Sequence, residues 1–110
     1  MTPQEHDELL GYISHLPHLA AFAMMKAMPD SYEIVTQGLK DTTRIAASDP
    51  EVWRDIALSN HKHVLKSLDE MVKVLAVIRK AIVAKDQEAL LEVFKAAKIK
   101  RERLDKAHAS

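Results

Sequence analysis

The stretch that most restricts this chain is residues 14–27, Ser-His-Leu-Pro-His-Leu-Ala-Ala-Phe-Ala-Met-Met-Lys-Ala. Beyond Leu16 it has almost no polar face, and a helix apolar all round has to be buried on every side. A chain of 110 residues is too short to cover such a helix with one copy, so the segment points to a partner subunit. Pro17 lies inside it. A proline within a helix removes one backbone hydrogen bond and clashes with the preceding turn, at a cost of about 3 kcal/mol. The carbonyl it deprives lies near residue 13, one turn back. The sequence therefore predicts a long first helix with a kink near Pro17, where Ser14, His15 and His18 face a cavity. One or two core histidines beside a tolerated kink account for the same residues, and packing alone remains an alternative.

The first helix has a strong start. Thr2 can cap it, Pro3 suits the first helical position and Glu5 completes a capping box. It should run to about Met28, where Pro29-Asp30 stops it. Residues 31–37 are expected to form a short helical turn ended by Gly38, and residues 39–47 another short helix with Asp41 near its start. Ser48 or Asp49, followed by Pro50 and Glu51, caps a helix on which Val52, Trp53, Ile56 and Ala57 share a face. Asn60 either caps a new helix or lies inside a continuing one. Apolar residues from Val64 to Val83, three and four apart, describe a long amphipathic helix to about Ala84. Asp86 caps the last helix, whose charged end, residues 98–106, reads as solvated and frayed. The expected architecture is all-α, with about five to six helices in a single domain over residues 1–110 and no internal repeat.

Composition narrows the partners. Sixteen basic residues balance sixteen acidic ones, which gives no basis for a nucleic-acid or anionic-membrane partner, and neither is expected. Cysteine is absent, so a disulfide framework and a thiolate metal site are both excluded. No uncharged apolar run approaches the length of a membrane span, and the polar, acidic residues 4–8 do not read as a secretory signal. The expectation is a soluble cytoplasmic protein.

Two settings could carry chemistry. His15 and His18 lie within one helical turn of each other and His6 more than two turns away. A zinc site would need a third ligand in fixed geometry, and no such pattern is present, so no metal is expected. His61, His63 and His108 receive no role. Arg44 lies among small residues and is expected to be at least half-buried at the base of a cleft also lined by Ser14, His15 or His18, where it would require an anion. Asp41, one turn earlier, is the local candidate; a carboxylate ligand held in a bidentate fork is the other. Trp53, the single tryptophan, is either a core anchor or a cleft wall.

Taken together, His6-Asp7, Ser14-His15-Leu16-Pro17-His18, the segment from Lys40 through Asp41-Thr42-Thr43-Arg44 to Ala46, and Ser48-Asp49-Pro50 through Trp53 to Asn60 resemble the C-terminal domain of prephenate and arogenate dehydrogenases. The likeness covers nearly the whole chain. It implies an all-helical domain that forms an intertwined homodimer behind an N-terminal Rossmann domain. The reaction it implies is an NAD- or NADP-dependent oxidative decarboxylation in tyrosine biosynthesis. By resemblance Arg44 would bind the ring carboxylate of prephenate, and Ser14, His15 and His18 would line the pocket. His6 would lie at its edge, Asp41 would join the polar network at its mouth, and Trp53 would approach from the partner subunit. The glycine-rich dinucleotide fingerprint and the segment with the family's catalytic histidine are absent. This chain is therefore expected to bind no cofactor and to be inactive without a separate dinucleotide-binding domain. The alternative is a non-catalytic helical homodimer serving as an interaction or regulatory module.

Overall fold

The computed structural model describes residues 1–31 and 33–107. Among them every regular element is helical, and the chain divides into two compact units, Met1–Asp69 and Glu70–Ser110. The first unit opens with α1 (Pro3–Leu10), a π-helical turn (Gly11–His15) and α2 (Leu16–Ala27) in unbroken succession. It continues through α3 (Gln37–Thr43), a 3-10 turn (Arg44–Ala46), α4 (Pro50–Ser59) and the first part of α5 (His61–Val83). The rest of α5 and α6 (Gln87–Ala107) make the second unit.

The N-terminus forms as its sequence dictates. The Glu5 amide donates to Thr2 Oγ1 at 3.1 Å and the Thr2 amide to Glu5 Oε2 at 3.0 Å, a reciprocal capping box with Pro3 at the first helical position. Where the sequence predicts a kink, the structure has the π turn. The Leu16 amide reaches back five residues to the Gly11 carbonyl, which widens the coil just before Pro17, the residue with no amide hydrogen to give.

The connection after α2 departs from expectation. Residues 31 and 33–36 form no helical turn, and residue 32 lies outside the described residues. Thr36 caps α3 instead, its Oγ1 accepting from the Leu39 amide at 3.1 Å, and Gly38 lies inside that helix rather than ending one. A threonine hydroxyl one residue before Gln37 satisfies an orphan donor that Gly38 cannot. The helix foreseen over residues 39–47 is split between α3 and the 3-10 turn, where Arg44 takes the C-cap position. Both pieces pack on α2.

Asp49 caps α4, accepting from the Glu51 amide at 2.9 Å. Asn60 ends α4 and separates it from α5. At the other end of α5, Lys85 takes a left-handed conformation with φ 53°. The Asp86 amide then donates to the Ala81 carbonyl at 2.8 Å and the Lys85 amide to the Ile82 carbonyl at 3.1 Å. This is a Schellman closure built on lysine instead of glycine. Asp86 then caps α6 through the Ala89 amide at 3.0 Å. The charged end of α6 stays helical and exposed to Ala107; His108 lies outside the described residues. No helix among the described residues is long and apolar enough to cross a membrane.

Candidate functional site: an imidazole–indole cluster beside the π turn

The π turn is clamped from one side by α5. A Cβ on Gly11 would stand 2.9 Å from the His63 backbone oxygen, so only glycine allows this approach. Ser67, fully buried, donates its hydroxyl to the Gly11 carbonyl at 2.9 Å while also facing the Val64 carbonyl at 3.0 Å. The Gly11 oxygen thus accepts from both the Leu16 amide and Ser67, filling its two lone pairs. Beside it, Lys66 pairs with Glu8, which holds the Glu8 carboxyl below the usual carboxylate range.

What this clamp positions is the pair of histidines. His18 stacks on Trp53 with ring centroids 3.7 Å apart and planes 15° from parallel. His15 meets the same indole edge-on at 6.0 Å and 79°. Its Nδ1 lies 3.3 Å from Asn60 Nδ2, which also donates to the Asp7 carbonyl at 2.9 Å. His18 Nδ1 lies 3.1 Å from the Ser14 carbonyl. Burial pushes the His15 imidazole below its ordinary value; His18 acts in the same direction and Asp7 opposes them. Ser14, His15, His18 and Trp53 are all half-buried. A shallow apolar groove of about 240 Å³ adjoins Trp53, walled by Leu19, Phe22, Pro50 and Ala57.

The sequence expectation thus holds in bringing Ser14, His15, His18 and Trp53 into one neighbourhood. It differs in three ways. Trp53, expected from a partner subunit, stacks on His18 of its own chain, because α4 carries it across to the π turn. Arg44 is exposed rather than half-buried among the histidines. It lines a separate groove of about 530 Å³ with Met25, Val35, Leu39 and Thr43, to which none of Ser14, His15 and His18 contributes. Asp41 does not pair with Arg44; its carboxylate accepts from Gln37 at 2.8 Å, because both lie on α3 one turn apart, whereas Arg44 has left that helix for the 3-10 turn. His6 is exposed, 3.7 Å from the Asp7 carboxylate. Asn60, Gly11 and Ser67 were given no site role from sequence. Asn60 alone carried a signal, as a polar residue at a helix junction.

Among the described residues, buried small side chains, a π turn and an imidazole–indole face define an all-helical fold. Residues 2–96 match the family described as "Prephenate dehydrogenase, dimerization domain", and the chain belongs to that family. It is 38% identical to a prephenate dehydrogenase of Bacillus subtilis (strain 168), covering 94% of this chain and 30% of that protein. It is 36% identical to a cyclohexadienyl dehydrogenase of Zymomonas mobilis, over 86% of this chain and 35% of that one. Among solved structures, prephenate dehydrogenase from Aquifex aeolicus in complex with hydroxyphenyl propionate and NAD+ superposes with a TM-score of 0.83 at 40% identity, covering 94% of this chain and 39% of that one. An arogenate dehydrogenase from Synechocystis, at 24% identity and a TM-score of 0.86, shares the fold. The chain spans about a third of the length of these curated relatives. Its two glycines lie at a helix crossing and within α3, not in a strand-to-helix turn.

Proposed function

We propose that this chain is the self-associating and substrate-binding portion of a prephenate dehydrogenase, inactive without a dinucleotide-binding domain. In the family's reaction prephenate loses carbon dioxide and hydride to give 4-hydroxyphenylpyruvate. The observation that carries the reading is the His15–Trp53–His18 cluster. Its flat stacked rings offer an apolar face to a six-membered ring, and the two imidazoles offer polar edges beside it. Ser14 borders the cluster, and the family resemblance also assigns polar roles to His6 and Asp41, both exposed in the single chain. The family resemblance gives the carboxylate to Arg44, which in the single chain lines a groove apart from the cluster. The exposure of Arg44 gives that contact the form of an open guanidinium that meets its anion when the ligand arrives, with no standing counter-ion to displace. NAD or NADP, carried on the separate domain, supplies the hydride acceptor.

Calorimetry with prephenate, 4-hydroxyphenylpyruvate and tyrosine tests this. Saturable binding of prephenate or its product, weakened in Arg44→Ala, supports the reading. Absence of heat with all three, from a folded and associated chain, overturns it in favour of a non-catalytic interaction module.

A further inference from the structure

We infer that Asn60 is a positioning residue that locks His15 in the tautomer opposite to that of His18, so that the two rings present one N–H donor and one lone pair. The argument starts from a group with no choice. The Asp7 backbone carbonyl can only accept, so the Asn60 atom 2.9 Å from it is the amide nitrogen, and this orients the side chain. The same nitrogen carries a second hydrogen and lies 3.3 Å from His15 Nδ1. His15 Nδ1 must therefore accept, and the ring proton of the neutral imidazole resides on Nε2. The Ser14 carbonyl imposes the reverse on His18: at 3.1 Å it draws the proton to Nδ1 and leaves Nε2 as a bare acceptor. Among the described residues neither Nε2 has a hydrogen-bond partner. A hydroxyl, which both accepts and donates, satisfies such a pair. A carboxylate satisfies only the His15 side and meets a lone pair at His18. This last step rests on the cluster being the ligand site; the tautomers themselves do not.

Two charged or titratable groups bear on His15 besides Asn60: His18 on the next turn and Asp7 on α1. Their influence on the ring's charge is set apart by recording spectra well above the imidazole titration range. Long-range nitrogen–proton correlation spectra of the 110-residue chain report which ring nitrogen holds the lone pair. We expect mirror-image patterns, with the lone-pair shift on Nδ1 in His15 and on Nε2 in His18. In Asn60→Asp the carboxylate can only accept, so the His15 pattern should swap to match His18 while His18 stays unchanged. In Asn60→Leu the His15 shifts should move toward the average of the two forms. A protonated Nδ1 on His15 in the unaltered chain overturns the inference outright, and this holds even where Asn60→Asp fails to fold beside the Asp7 carbonyl. Calorimetry separates the two claims: opposed tautomers without prephenate binding would defeat the functional reading and leave this one standing.

Discussion

A guanidinium in water needs no buried counter-ion, and among the described residues Arg44 has none. Arg44→Ala should therefore leave stability within about 0.5 kcal/mol, as for surface substitutions in general, while carboxylate binding is lost in calorimetry. Arg44→Lys should bind poorly too, since an ammonium cannot reproduce a two-pronged contact. His15 behaves in the opposite way because it is tied into the fold. The unfolded chain takes up a proton there as pH falls through the ordinary value of 6.5, and the folded chain only at lower pH. The stability held by neutral His15 is thus fully present above 6.5 and is lost below it, down to the folded value. Thermal melts should show this loss between neutral and mildly acidic pH, and His15→Gln should flatten it. Glu8, held down by Lys66, adds a loss at lower pH, as its carboxyl protonates below 4.5. Residue types were legible from sequence where chemistry alone named them: His15, His18 and Trp53 were singled out, and they meet. Asn60 escaped because its role depends on the Asp7 carbonyl, 53 residues away in the chain.

At the scale of elements, the π turn is held by two small groups. Ser67→Ala removes one donor from the Gly11 carbonyl, which keeps the Leu16 amide, so the expected cost is about 1 kcal/mol by denaturant melts. Gly11→Ala sets two effects against each other. Alanine gains up to about 1 kcal/mol in helix propensity. A Cβ 2.9 Å from the His63 carbonyl forces backbone to move, at about 1–3 kcal/mol. The clash should win and the variant should melt lower. Lys85→Gly should do the reverse. Left-handed backbone costs lysine about 1–2 kcal/mol, while glycine returns about 0.5–1 kcal/mol of that through unfolded-chain entropy, so a small net stabilisation is expected. Caps were the legible part of the elements: Thr2, Asp49 and Asp86 all act as their short-range patterns require. The segment before α3 was misread because Gly38 signals a stop only when nothing upstream caps, and Thr36 does.

For the whole molecule, the apolar residues on the outside set the terms. Among the described residues only Ala21, Val64 and Ala81 are buried hydrophobics, whereas Leu65, Val72, Leu75, Ile82, Leu91 and Phe94 are each more than half exposed. Exposed apolar side chains in this number point to an association face. The family's description as a dimerization domain fits it. We expect a homodimer in sedimentation, with no folded monomer at micromolar concentration, and Phe94→Asp should abolish association. The all-apolar α2 carries the same expectation in the sequence, and its residues other than Ala21 remain partly exposed in the single chain. The sequence could not show which faces pair, since helical periodicity identifies an apolar stripe and not its occupant.

The π turn also absorbs one extra residue between two lengths of helix. Each residue of an α-helix advances the winding by about 100°, and the wider coil lets five residues, Gly11–His15, cover nearly the angle that four ordinary ones would. The helix before it and the helix after it therefore keep almost the phase of an unbroken coil, and the Asp7 carbonyl stays within reach of Asn60 beside His15. The extra residue shows only in the sequence, where the spacing of side chains that share a face lengthens by one across the turn.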